Sequence, residues 1–226
     1  MKGIMIQYKT LDTFYNHQGF NPHQHIEKFV SDEDYNVLLE QFPDDKLFKD
    51  EKPHTRKYNQ RPHVRRFMCV TTQKESPYFD KFIVSVNDLP FVWQTLIAEL
   101  QSKEYKEWIC DILQINDFKL RFDFHRTQRG LDVSPHVDSV GKYASHLFYF
   151  MPKGWKEEYG GRTIFYKDKM IPEMNPEIKN FKNSMSYPVT GNCSLLFKNV
   201  PEGWHGVTEV KSDKLHRQLF NVIILK

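Results

Sequence analysis

The sequence changes character near residue 117, and that break limits what the chain can fold into. Before it, apolar residues recur every three or four positions. In 89–115, Trp93, Leu96, Ile97 and Leu100, then Trp108, Ile109, Ile112 and Leu113, form a helical stripe, with a break predicted near Ser102. After it, apolar and polar residues alternate. KLRFDFH sets Leu120, Phe122 and Phe124 against Arg121, Asp123 and His125. The runs SPHVD, SHLFYFM, GRTIFY, NCSLLF, GVTEV and RQLFNVIIL follow, with Gly, Pro and Asn turns between them. Short alternating runs of this kind predict an antiparallel sandwich or barrel, here with helices bracing one sheet. An aromatic content of 15% suits that reading, because large flat side chains pack well on a pleated surface.

At the N-terminal end, residues 20–44 read as a short strand and then a helix. Ser31 is its expected cap, Asp32, Glu33 and Asp34 suit a positive helix start, and Val37, Leu38, Leu39 and Phe42 form the apolar stripe. Residues 51–67 are polar and basic, with Lys52, Arg56, Lys57, Arg61, Arg65 and Arg66 interleaved with Tyr58 and Phe67. This segment is expected to be a loop or irregular hairpin, either a solvated face or a contact for phosphate or an acidic partner. The stretch 168–186 has two prolines and no clear period, and is expected to be a lid or a passive loop. No internal repeat is found. At 226 residues the chain is expected to be one domain, with helical support over about 20–115 and a β core over about 116–226.

A formal charge of +3 argues against a dedicated nucleic-acid binder. Cys69, Cys110 and Cys193 are odd in number and far apart, as expected for reduced thiols in a cytosolic-type compartment. No signal-peptide pattern opens the sequence, and no apolar run approaches the ~20 residues that span a bilayer. A soluble, cytoplasmic protein with no membrane partner is the expectation.

The chemistry is concentrated in SPHVDS. His136 and Asp138 lie two residues apart, so on an extended strand they share a face. One imidazole and one carboxylate make two-thirds of the facial site used by non-haem Fe(II) oxygenases. His205, between Gly203 and Gly206 in GWHGV, is the candidate third ligand. Three protein ligands leave room on the metal for a bidentate 2-oxo acid and O2. The far carboxylate of such an acid needs a cation, and an Arg fork matches it. Arg217 follows His205 by twelve residues. If its run is the next antiparallel strand, a turn at Lys211–Lys214 returns Arg217 opposite His205. Arg217 and Asn221 share one face of that run.

These residues resemble the prolyl-hydroxylase-like branch of the Fe(II)/2-oxoglutarate oxygenases over roughly residues 20–225. The resemblance runs through the N-terminal strand and helix, the helix pair, and SPHVDS…KYASHLFYFMPKGW…YGGRTIFY…NCSLLFKN…GWHGVTEV…HRQLFNVII. It implies a double-stranded β-helix (jelly-roll) core and a metal triad of His136, Asp138 and His205. It also implies 2-oxoglutarate held by Arg217, with Tyr149 assisting. The implied reaction is hydroxylation of an unactivated C–H bond by Fe(II), O2 and 2-oxoglutarate, releasing succinate and CO2, with ascorbate as the expected reductant. On an N-methyl carbon the same step would register as demethylation. The expected substrate is a protein side chain such as prolyl, or a free amino acid. The segment FHRTQRGLDV departs from relatives, which often carry a Tyr and a Gly-rich turn there, and no motif carries peptidyl-proline specificity.

Plainer readings stand beside these. Polar residues on strands often only satisfy core hydrogen bonds, and the same ligands bind Zn2+ in a non-catalytic β-helix. The same oxidation on an anionic small molecule or nucleic acid is a further alternative. On the plain reading Arg217 is a surface partner for Glu209, and Tyr149 a core aromatic. His146 is expected to be structural, and His23 and His25 are not expected to bind metal. Arg121 and His125 line the pocket or express ordinary strand polarity.

Overall fold

A computed structural model of the chain describes residues 6–7, 19–51, 63–70 and 80–226. Among these residues are three α-helices and two antiparallel sheets. Strand β1 (His23–Glu27) leads into helix α1 (Asp32–Glu40), where the Ser31 hydroxyl accepts from the Asp34 amide at 3.0 Å. Strands β2 (Lys49–Glu51) and β3 (Arg65–Val70) follow, then helices α2 (Phe91–Leu100) and α3 (Lys103–Leu113). The break between the helices falls at Ser102, which caps α3 by accepting from the Tyr105 amide. The remaining strands are β4 (Lys119–Thr127), β5 (Val133–His136), β6 (Lys142–Tyr149), β7 (Thr163–Lys169), β8 (Phe181–Ser186), β9 (Cys193–Lys198), β10 (His205–Val207) and β11 (Arg217–Leu225).

Seven strands form one sheet in the order β1-β9-β6-β11-β4-β3-β2, and four form the other in the order β5-β10-β7-β8. Period-two alternation divides the large sheet between two cores. Phe122, Phe124, Phe148, Phe220 and Val222 pack with Trp93, Leu96, Tyr105 and Ile109 of the helices. Leu147, Tyr149, Leu195, Phe197 and Leu219 point the other way and meet Phe165 of the small sheet. The interior between the sheets is where the site forms.

The hairpin expected around 51–67 is present where the residues are described: β2 pairs with β3 from Lys49↔Phe67 to Glu51↔Arg65, and β3 also pairs with β4 over Phe67↔His125 to Val70↔Phe122. Lys52, Arg56, Lys57, Tyr58 and Arg61 lie outside the described residues. The stretch 168–186 is a loop over 170–180 and ends in strand β8, which pairs with β7 from Ile164↔Ser186 to Lys169↔Phe181. Its polar residues face water on an edge strand, so no apolar alternation betrays it. Cys69, Cys110 and Cys193 form no disulfide. Among the described residues no helix is long and apolar enough to cross a membrane.

Candidate metal centre

The pairing of β5 with β10 sets His136 directly opposite His205. Asp138 follows His136 by two residues and projects to the same side. The result is a set of two imidazoles and one carboxylate whose ligand atoms all lie within 4.8 Å of one another. The two rings stand 4.4 Å apart between centroids, and His205 Nε2 is 3.8 Å from Asp138 Oδ2. Gly206 lets this happen. A Cβ there would stand 2.5 Å from the Val133 carbonyl oxygen, so any side chain would push β10 away from β5.

Backbone carbonyls fix which ring nitrogens face the cluster. His136 Nδ1 lies 3.0 Å from Ser134 O and His205 Nδ1 lies 2.9 Å from Gly203 O. A carbonyl only accepts, so each Nδ1 carries the hydrogen and each Nε2 presents a lone pair. Burial pushes the His136 imidazole down to about 3 and lowers His205 as well, which keeps both rings neutral at physiological pH. Burial opposes ionisation of Asp138, but the Lys142 ammonium outweighs that effect and holds the carboxyl below its usual range. Lys142 Nζ donates to Asp138 Oδ1 at 2.7 Å, which leaves Oδ2 toward His205. Two neutral nitrogen donors and one ionised oxygen donor suit a first-row divalent ion.

Arg217 opens onto the same cavity, of about 610 Å³, as the three candidate ligands. Its approach is not the expected one. Strand β11 lies between β6 and β4 in the large sheet, whereas β10 belongs to the small sheet, so Arg217 reaches across the interior instead of sideways from a neighbouring strand. It is 3% exposed, which removes the surface partner Glu209 from consideration. Its Nε donates to the Gly161 carbonyl at 2.6 Å, while Nη2 is buried and has no partner. A buried guanidinium nitrogen without a partner costs free energy unless an anion or water completes it. Asn221 lines the cavity with its amide oxygen unpartnered. Tyr149 backs Arg217: its hydroxyl donates to Thr163 Oγ1 at 2.8 Å, and its ring centroid lies 5.7 Å from the guanidinium carbon.

The other wall carries Arg121 and His125, as the alternation of β4 suggests. Arg121 is held by Asp123 through two bonds of 3.2 and 3.0 Å. Three histidines fall elsewhere. His146 faces the helices between Tyr105 Oη and Ser194 Oγ, each at 3.0 Å. His23 bonds Asn21 O and the Tyr187 hydroxyl, and His25 stacks on the Tyr187 ring. Sequence reasoning missed Lys142 and Gly161. Lys142 follows Asp138 by four residues, beyond a turn that no periodicity marks. Gly161 stands out only through its backbone, with φ at +70°.

No family model matches the sequence, and no curated protein matches it. Solved structures do. A prolyl hydroxylase from Trichoplax adhaerens, solved with a peptide fragment of the hypoxia-inducible factor oxygen degradation domain, superposes with a TM-score of 0.59 at 12% identity, over 95% of this chain and 88% of that one. A prolyl-4-hydroxylase from Pseudomonas putida gives 0.57 at 11% identity, over 91% and 93%. A member of the 2-oxoglutarate–Fe(II) oxygenase family from Burkholderia pseudomallei gives 0.55 at 12%, over 90% and 84%. The fold is that of the 2-oxoglutarate–Fe(II) oxygenases. The jelly-roll core expected from sequence is therefore present, and at these identities the likeness is one of architecture.

Proposed function

We propose that this chain is an Fe(II)- and 2-oxoglutarate-dependent dioxygenase that hydroxylates a C–H bond of a peptide or small-molecule substrate. One observation carries the reading: two imidazoles with free Nε2 lone pairs, an ionised carboxylate and a buried, unanswered guanidinium nitrogen share one cavity. A metal-only role explains the first three groups and leaves the fourth without a purpose.

His136 and His205 would hold the iron through Nε2, and Asp138 through its carboxylate. When bound, iron with O2 couples oxidative decarboxylation of 2-oxoglutarate to insertion of one oxygen atom into the substrate C–H bond, yielding succinate, CO2 and the alcohol. The chain's own residues bind and orient. Arg217 grips the distal carboxylate of 2-oxoglutarate with Nη2 while Gly161 O fixes its Nε. Tyr149 supports the guanidinium, and Asn221 contacts the co-substrate. Ser134 O and Gly203 O hold the two rings in one tautomer and orientation. Lys142 keeps Asp138 ionised. Leu147, Leu219 and Phe197 exclude water from this part of the cavity.

Succinate formed from 2-oxoglutarate under air with Fe(II) and ascorbate tests the reading. His136→Ala should abolish succinate formation, and Arg217→Ala should raise the 2-oxoglutarate requirement by about two orders of magnitude, in line with loss of a buried charged pair. Unchanged turnover in both variants would remove the assignment.

A further inference from the structure

A second cavity, of about 530 Å³, shares His136 and Asp138 with the first but not Arg217. Its walls come from the segment after Asp138, the end of β7, the loop before His205 and the C-terminal Lys226. Four lysines and two carboxylates line it. One of each is spent, because Lys142 is paired with Asp138. The other three lysines form no ion pair among the described residues. Lys169 Nζ donates to the Glu173 carbonyl at 3.1 Å and stands 4.5 Å above the Trp204 ring. Lys198 Nζ donates to the Leu113 carbonyl at 3.3 Å, and Lys226 Nζ lies 5.6 Å from the Tyr143 ring. Among the described lining residues, Glu202 is the one acidic side chain left to oppose them.

The first cavity is balanced differently. Arg121 is answered by Asp123, Arg65 by the buried Glu51, and Arg66 by Asp45 and Asp50. Among the described residues its remaining cation is Arg217, which the co-substrate would satisfy. The uncompensated positive charge beside the candidate metal ligands therefore lies in the second cavity. The same cavity is bordered by Val140 at 76% exposure and Met174 at 55%, two of the few large apolar side chains that the described residues leave in water. Trp204 and Tyr143 also line it.

We propose that this second cavity receives the primary substrate, and that the substrate is amphipathic: a carboxylate or phosphate head read by Lys169 and Lys226, and an apolar body laid against Trp204, Tyr143, Val140 and Met174. Ammonium groups are compact point charges and take either head, in contrast to the planar fork that Arg217 presents. Because His136 and Asp138 form part of the wall, a ligand held here presents its carbon chain to the candidate iron site. Only the word substrate rests on the oxygenase reading; the binding itself does not.

Saturation-transfer NMR on the metal-free full chain, without 2-oxoglutarate, tests this with octanoate, octyl phosphate and octan-1-ol. At least one anion should bind, and at least tenfold more tightly than the alcohol. The Lys169→Gln/Lys226→Gln double variant should weaken that binding at least tenfold. Lys179→Gln/Lys214→Gln, which removes the same net charge away from the cavity, should leave it unchanged. Lys226→Gln alone, at an exposed terminal residue, guards against misfolding of the double variant and should show part of the loss. The proposal is overturned if neither anion binds, if the alcohol binds as well as they do, or if binding survives the lysine changes and is lost in Arg217→Gln. Anion binding in a protein that makes no succinate would sink the oxygenase reading and keep this site. Succinate formation without anion binding would do the reverse.

Discussion

The proposed co-substrate site turns on Arg217, and Gly161 sets where that side chain points. The Gly161 carbonyl accepts from Arg217 Nε, and a Cβ at Gly161 would stand 2.9 Å from Arg217 Cδ. The backbone there has φ of +70°, a region costly for any residue with a side chain. Gly161→Ala should therefore displace the guanidinium without touching the metal ligands. The expected outcome is a roughly tenfold rise in the 2-oxoglutarate requirement, about 1.4 kcal/mol, with Fe(II) affinity unchanged. Steady-state kinetics across 2-oxoglutarate concentration and a separate metal titration read the two effects. A variant that loses metal affinity instead would show that Gly161 shapes the triad and not the anion site.

At the scale of elements, much of the site could be read from sequence because strand periodicity is short-range. A two-residue spacing puts His136 and Asp138 on one face whatever the strand pairs with, and the same rule puts Arg217 and Asn221 together. Pairing is a different matter. That β11 joins the large sheet while β10 joins the small one depends on the order of strands across the whole chain, so Arg217 reaches the cavity by a different route from the one its spacing suggests. Lys142 escaped for a related reason: its bond to Asp138 spans a turn whose course no alternation encodes. The join between β5 and β10 is the element contact that matters most, and it depends on Gly206. Gly206→Ala would set a methyl 2.5 Å from the Val133 carbonyl oxygen, forcing the strands that carry His136 and His205 apart. Overpacking of this kind costs about 1–3 kcal/mol, and here it should also weaken Fe(II) binding. Ser102→Ala, which removes the cap of α3, should cost about 1 kcal/mol while leaving metal affinity intact. Urea melts paired with metal titrations separate these outcomes, and equal metal affinity in both variants would contradict the role given to the β5–β10 join.

Across the whole molecule, helices, large sheet and small sheet are held together with several imidazoles buried in their neutral form. His146 lies between α3 and the large sheet at 1% exposure, and burial alone pushes its pKa down to about 3. His125 and His136 are pushed down to about 3 as well, and His205 and His25 are lowered. An unfolded chain protonates these rings near the ordinary value of about 6.5, whereas the folded chain does not, so the unfolded state binds more protons below that pH. The stability they contribute is complete above about 6.5 and is lost as pH falls from there toward 3. Asp138, also depressed, contributes in a separate and lower window, below the ordinary carboxylate range. A single buried imidazole such as His146 should account for about 2 kcal/mol between pH 6.5 and 5. Urea denaturation of the metal-free chain between pH 7.5 and 5 should show stability declining steadily. His146→Gln, which keeps hydrogen-bonding groups between Tyr105 and Ser194, should flatten that decline by close to one proton at pH 5. An unaltered slope in the variant would mean that His146 already carries its proton in the folded state, and that the contact between α3 and the large sheet is built around a charge.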